Sequence, residues 1–331
     1  MDAAGEDLVC GAGEIAQRRA DSGHAFEHFA KERCLLPAHH FPFYRQQATE
    51  TPWWRLSERK SRLPPKLIEE VLSEVEERGP ITSGQLTDYG KVAPIDWNGW
   101  KGTSNAGAMA LEVLWTQCKI VVCSREGGKK WYDIPERALP THATMPAADF
   151  SRWALLERVE AAGLLSRNSG PHWSMLSHVR TESLPDDLIE EGLVEDVKIE
   201  GTHNRYLAPK RFLDRKYPSY DSRMRLLGPL DSLLWNRELI RTAFGFDYIW
   251  EVYKPSHQRR WGWYVYPLLH KGKLVGRLEG SIEDDSLKIK KIWKEEGHAI
   301  DEKALQIALR RHAEACGVSS VVFPKRRLNS A

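Results

Sequence analysis

The stretch Ser104–Ile134, SNAGAMALEVLWTQCKIVVCSREGGKKWYDI, decides the architecture. Ser104 can cap a helix whose Ala108, Leu111, Leu114, Trp115 and Cys118 fall on one face. An apolar strand follows from Ile120 to Cys123, then a Gly127-Gly128 turn and a second strand from Lys130 to Ile134. Upstream, Pro64 and Pro65 open an earlier helix in which Leu67, Ile68, Val71, Leu72 and Val75 recur at helical spacing. Gly79 and Pro80 end it, and Thr82-x-x-Gln85 has the form of a capping box for a short helix in between.

Three helices followed by a hairpin is the winged-helix layout, in which the third helix reads a groove of DNA and the hairpin touches the backbone. Arg125, Lys129 and Lys130 then stand at the hairpin tip, and Lys101 just ahead of the third helix, where phosphate contacts are expected. A looser copy of this order follows. Phe150, Trp153, Ala154 and Leu156 mark a helix ending near Gly163, and Leu176 and Leu188 lie in further helices. A hairpin turning at Glu200-Gly201 joins Val194–Ile199 to Asn204–Leu207. Before the first module a helix is expected from Ala25 to Cys34, with a helical piece around Trp53 and Trp54.

The last third changes period. Tyr248, Trp250 and Val252 alternate, as do Trp261, Trp263 and Val265, then Leu274 to Leu278, then Leu287 and Ile289. Four antiparallel strands of this kind suggest a small barrel or curved sheet, covered by a helix from Asp301 to Cys316 and extended by a strand from Val318 to Phe323. The expected class is α+β: tandem winged-helix domains followed by an antiparallel β-barrel-like domain. Its expected divisions are 1–62, a remnant of an N-terminal winged helix; 63–140, a winged helix; 141–225, a degenerate one; and 226–331, the barrel-like domain with its helix.

Hydrophobic residues make up 41% and charged residues 28%, the balance of a globular chain. No apolar run approaches the roughly 18 residues of a membrane span, and residues 1–19 lack a signal-peptide core, so a cytoplasmic protein is expected. Five widely spaced cysteines argue against a disulfide framework. Net charge is only +2, but it is unevenly spread. Thr181–Glu200 holds eight carboxylates against Lys198, whereas Arg241–Arg277 holds seven Lys/Arg against Asp247 and Glu251. Such a basic segment suits a phosphate-binding face or a solvated strand face. Within it, Arg259 and Arg260 beside Trp261 and Trp263 are the best local candidates for DNA contact, since guanidinium binds phosphate bidentately and indole can stack on bases. Glu251 and Arg277 are read as a structural ion pair across strands, and Asp231, Trp235 and Arg237 as packing that docks the tail. His24-Ala25-Phe26-Glu27-His28 has the His-x-x-Glu-His form of one metalloprotease class, but so short a pattern arises easily by chance, and no metal or cofactor is expected.

Several of these segments, in order, resemble the YcaQ-type crosslink-repair DNA glycosylases. They are Trp97-Asn98-Gly99-Trp100-Lys101, Ala110–Leu114, Tyr132–Pro140, Leu227-Gly228-Pro229-Leu230-Asp231, Leu234–Arg237, Phe244–Tyr248, Gln258–Val265 and Leu274–Arg277. The resemblance runs from about Phe26 to Phe323 and implies winged helices in tandem plus a β-barrel, forming a basic channel for duplex DNA. It also implies hydrolysis of the N-glycosidic bond of N7-alkylated guanine, crosslinked guanines included. In that family a glutamine, with an acidic or amide residue two positions later, places the water and stabilises the sugar cation. Neither Gln-x-Asp nor Gln-x-Gln occurs among Gln17, Gln46, Gln47, Gln85, Gln117, Gln258 and Gln306. Glu27–Glu32 is similar to a family stretch that lies after the catalytic segment, with Phe29 for the family's tryptophan and Lys31 for its histidine. Either the start is misassigned or this branch has lost the chemistry, and no catalytic residue is named. The expectation is a monomeric, duplex-DNA-binding repair glycosylase, with a non-catalytic winged-helix regulator or lesion sensor as the alternative.

Overall fold

The computed structural model describes residues 23–30, 33–50, 55–95, 103–126, 128–142, 149–216, 219–323 and 329–330. These divide into two compact units, residues up to Leu155 and residues from Leu156 onward. The chain is a mixed α+β protein.

The first unit is built around one helix. Strands β1 (Ala25–Phe29) and β2 (Arg33–Pro37) form an antiparallel hairpin, followed by helices α1 (Phe41–Glu50), α2 (Leu56–Ser61) and α3 (Pro65–Arg78). Then come β3 (Ile81–Thr82), α4 (Ala106–Thr116), β4 (Val121–Glu126), β5 (Lys129–Asp133) and the one-turn α5 (Pro135–Ala138). Nine of the eleven residues of α4 are buried, leaving only Ala108 and Glu112 half-exposed. A helix apolar nearly all round is a core helix. Val71 and Val75 of α3, Val121 and Val122 of β4 and Tyr132 of β5 are buried in the same unit. Asn105, not Ser104, caps α4, its side chain accepting from the Ala108 N–H at 2.8 Å. The end of α3 is closed by Arg137, which donates to the carbonyls of Val75 and Glu76 at 2.8 Å each and is steered by Asp133 at 2.9 Å. A guanidinium there satisfies carbonyls that the helix leaves unpaired.

Two further expectations fail in this unit. Ala25–Cys34 is not a helix but most of the β1–β2 hairpin. Trp115 Nε1–H donates to the Glu27 carbonyl at 2.9 Å, and the His28 ring meets the Thr116 carbonyl at 3.2 Å, so β1 is pinned along α4. Thr82 and Gln85 bond to each other as a capping box would, the Thr82 N–H donating to Gln85 Oε1 at 2.9 Å. Yet they enclose a turn, and Thr82 itself pairs with Trp131 in the sheet. The loop after it is held instead by Glu74, which accepts from the Thr87 N–H at 3.0 Å and the Tyr89 hydroxyl at 3.0 Å. The expected helix around Trp53 and Trp54 lies outside the described residues.

The sheet of this unit runs β3-β5-β4. The same order recurs downstream. Helix α6 (Phe150–Ala162), β6 (Leu165–Ser166), α7 (Leu184–Glu190), β7 (Val194–Lys198) and β8 (Arg205–Pro209) give a sheet ordered β6-β8-β7. In each case a helix leads into a two-residue strand, and a later hairpin adds its second strand to that short one. The sequence shows it as a looser copy of the element order, without an exact repeat.

The rest of the second unit comprises β9 (Met224–Leu226), α8 (Arg237–Phe244), β10 (Val265–His270), β11 (Lys273–Glu283), β12 (Ser286–Lys294), α9 (Glu302–Ala315), β13 (Ser320–Val322) and β14 (Asn329–Ser330). The sheet path is β13-β12-β11-β10-β9, antiparallel except for β12–β13 and the short β12–β14 pairing, which are parallel. Leu268, Leu278, Leu287 and Ile289 of its strands pack with Leu305, Leu309 and Ala313 of α9. Tyr248–Val252 is not the expected strand. Tyr248 joins Leu227, Ile240, Phe246 and Leu274 in a separate core cluster. The strand expected from Trp261 begins only at Val265. Among the described residues, no helix is long and apolar enough to cross a membrane.

Candidate nucleic-acid interface

In the first unit the β4–β5 hairpin carries three of the residues singled out from sequence, and it uses them differently. Arg125 is forked onto the buried Glu27 carboxylate, with its NH2–Oε2 contact at 2.8 Å. That hydrogen bond, with the nearby negative charge, raises the basicity of Arg125. Lys130 points inward, its side chain 16% exposed, and donates to Glu112 of α4 at 2.8 Å. Burial lowers the Lys130 pKa against the pull of Glu112. Burial would raise Glu112, but Lys130 and Arg33 outweigh it and hold the carboxyl below its ordinary value. Arg33 of β2 reaches Glu112 at 3.4 Å, with its guanidinium 4.8 Å from the Trp115 ring centroid. Lys129 is exposed, beside the turn where Gly128 takes φ +79°. Lys101 lies outside the described residues.

Arg33, Glu112, Lys129 and Lys130 line a cleft of about 790 Å³, with Arg59, Gln85 and Trp131 also on its walls. Its floor is the Ala108–Glu112 edge of α4. Chemically the cleft offers a carboxylate already neutralised by two cations, with further cations at its rim.

In the second unit the loop from Glu251 to Trp261 is organised by one carboxylate. Glu251 is buried and accepts from the Lys254 ammonium at 2.8 Å, the Arg260 N–H at 3.1 Å and the Trp261 N–H at 2.7 Å. Burial would raise its pKa, but the three hydrogen bonds donated by Lys254, Trp261 and Arg260 favour the ionised carboxylate and hold it below the ordinary range. Arg259 Nε donates to the Lys254 carbonyl at 2.8 Å, and the Arg260 guanidinium lies 4.4 Å from the Trp261 ring centroid. Arg260 is exposed. Trp261 is a core residue, edge-on to Trp293 at 5.5 Å, and Trp263 is half-buried with its N–H donating to Glu279 at 2.8 Å.

The expected Glu251–Arg277 pair does not form. Arg277 instead donates to Glu295 at 2.7 Å and to the Asp247 carbonyl at 3.1 Å, between the rings of Phe246 and Trp261 at 4.2 and 4.1 Å. Asp231 caps the 3-10 turn Ser232–Leu234 through the Leu233 N–H at 2.9 Å. In the His24-x-x-Glu27-His28 pattern His24 precedes β1, while Glu27 and His28 lie on it, Glu27 spent on Arg125 and His28 buried against Thr116. Among the described residues no three His, Cys, Asp or Glu side chains converge as a metal site would require.

Sequence reasoning overlooked Arg33 and Glu112, and met Glu27 only in a metal-binding pattern and a family stretch, because their partners lie 18 to 98 residues away. Glu251 carried a signal, being one of two carboxylates in a strongly basic stretch.

Two comparisons bear on identity. A solved structure, the Streptomyces sahachiroi DNA glycosylase AlkZ, superposes with a TM-score of 0.56 at 17% identity, covering 96% of this chain and 85% of that one. At that identity the likeness concerns the fold. The sequence itself matches the family described as DNA glycosylase AlkZ-like over residues 10–315. The chain belongs to the AlkZ-like DNA glycosylase family.

Proposed function

We propose that this protein binds duplex DNA and releases N7-alkylated guanine, including guanine crosslinked between strands, by hydrolysis of the N-glycosidic bond. The observation that carries the reading is the family match, which spans nearly the whole of both units. The twice-used sheet order, β3-β5-β4 and β6-β8-β7, supports reading residues 63–140 and 141–225 as winged helices. The β1–β2 hairpin is then the wing of a third module within 1–62, and 226–331 is the barrel-like domain. Lys129, Arg259 and Arg260 are the proposed phosphate contacts, together with Lys101, which precedes α4 in the chain, and Trp263, which follows the arginine pair. Arg125 and Lys130 act one step back, by fixing the hairpin on Glu27 and Glu112. The N7-alkylated base is already cationic and leaves readily, so the protein has chiefly to hold the sugar and admit a water.

A second reading, a lesion-binding protein without catalysis, is favoured by one observation. Glu112, the carboxylate in the cleft floor, already serves two cations rather than standing ready to stabilise a sugar cation. Incubating the purified chain with duplex containing N7-methylguanine separates the two. Released base supports the glycosylase. Salt-sensitive binding without release supports the second reading, and no salt-sensitive binding refutes both.

A further inference from the structure

The loop that Glu251 organises also displays an aromatic ring for which the fold has no internal use. Tyr253 is 85% exposed, more than any other large hydrophobic side chain among the described residues. It sits on the turn closed by the Lys254 N–H to the Glu251 carbonyl at 2.9 Å. On one side its ring meets Trp250 edge-on at 5.9 Å. Behind it, the Glu251 carboxylate ties the turn to the Arg260 and Trp261 backbone, and Arg259 ties it again through the Lys254 carbonyl. The ring is therefore exposed on an anchored support, and three cations, Lys254, Arg259 and Arg260, lie within seven residues of it in the chain. The loop's one carboxylate is buried and turned inward. Leu213, the next most exposed, has cations beside it but no ring to stack, and the ring of Tyr220 lies against Gly272.

An aromatic ring held out from a rigid cationic loop suits a partner with flat apolar faces stacked between anionic rails. Duplex DNA is such a partner, and an inserted ring can part a base step while flanking cations hold the phosphates. Pre-ordering the loop removes part of the entropic cost of that insertion. We propose that Tyr253 is a positioning residue that wedges into the base stack of duplex DNA, next to the nucleotide being examined. The inference rests on the DNA-binding reading above and deepens it. Insertion is favoured where stacking is already weak, so the wedge would bias binding toward distorted sites.

The test uses the full chain and a duplex carrying 2-aminopurine, whose fluorescence rises when it unstacks, beside a tetrahydrofuran abasic analogue. Wild type should raise the fluorescence on binding. Tyr253→Ala should lose most of that rise and bind about tenfold more weakly, whereas Tyr253→Trp should keep both. Because the side chain is exposed, the thermal midpoint of Tyr253→Ala should match wild type, which separates a wedge from a folding defect. Unaltered fluorescence and affinity in Tyr253→Ala, with binding still weakened by Arg259→Ala/Arg260→Ala, would overturn the wedge and leave the DNA reading standing. Failure of wild type to bind the duplex would overturn both.

Discussion

Replacing Glu112 with glutamine should injure the first unit more than replacing its partner Lys130. The carboxylate is 24% exposed and the Lys130 side chain 16%, with Arg33 on the other oxygen at 3.4 Å. Glu112→Gln keeps the shape but leaves Lys130 and Arg33 as neighbouring like charges over Trp115. Breaking a fully buried pair costs about 3–5 kcal/mol, and the residual solvent access here reduces that to about 2–3 kcal/mol. Lys130→Met retains the aliphatic stem, and Glu112 keeps Arg33, so about 1 kcal/mol is expected. The double variant should be no worse than Glu112→Gln alone, giving a coupling of about 1 kcal/mol or more. The pH response supplies an independent check. Burial already lowers the Lys130 pKa, and losing Glu112 lowers it further. A lysine whose folded pKa lies below its unfolded value binds more protons when unfolded, so stability rises with pH between the two. Urea unfolding of Glu112→Gln followed from pH 7 to pH 10 should show a partial recovery that Glu112→Gln/Lys130→Met lacks. A loss under 0.5 kcal/mol, or a flat pH profile, would refute the account of this cluster.

Three further outcomes can be measured. His28 has its pKa lowered to about 4 by burial, against hydrogen bonding to the backbone of Thr116 and Trp115. Its contribution is therefore complete above about pH 6.5 and disappears as pH falls through 4, worth about 3 kcal/mol at roughly 1.4 kcal/mol per unit. An acid-unfolding series should show that limb, and His28→Leu should flatten it. Lys129→Ala should weaken binding to any duplex and reduce the slope of log affinity against log salt by about 1, while Lys130→Ala leaves the slope unchanged; a salt titration of both variants decides. Gly262 takes φ +152°, and a Cβ there would run into the Glu279 carboxylate that receives the Trp263 N–H. Gly262→Ala should cost about 1–3 kcal/mol and make the 251–261 loop sensitive to proteolysis; an unchanged cleavage pattern would count against the role given to this anchor.

Local patterns in the chain announced the elements that stabilise themselves locally. The helix from Pro65, the β4–β5 hairpin and the helix after Asp301 all carry apolar residues at the spacing of their own geometry, and each lies close to where periodicity puts it. β1 escaped notice because four of its five residues are buried, erasing the alternation that reveals a half-exposed strand. Its Glu27 and His28 look solvent-facing until Arg125 and Thr116, 98 and 88 residues on, close over them. Tyr248 and Trp250 alternate as strand residues do, yet Tyr248 finds its place in a side-chain cluster rather than a ladder. The basic residues were visible as types. Which of them face outward was not, since that depends on carboxylates contributed by distant elements.

The parallel pairing of β13 with β12 has a consequence for biosynthesis. Residues 286–294 leave the ribosome well before residues 320–322, and α9 must cross over before the two can meet. Until then one flank of β12 shows bare amide and carbonyl groups, the template on which nascent chains add each other's strands. Four lysines between 288 and 294 keep that rim charged during the interval. Exchanging them for threonine should leave the finished fold intact while lowering the soluble yield from translation, because their service would be temporal, given while the sheet waits for its last strand.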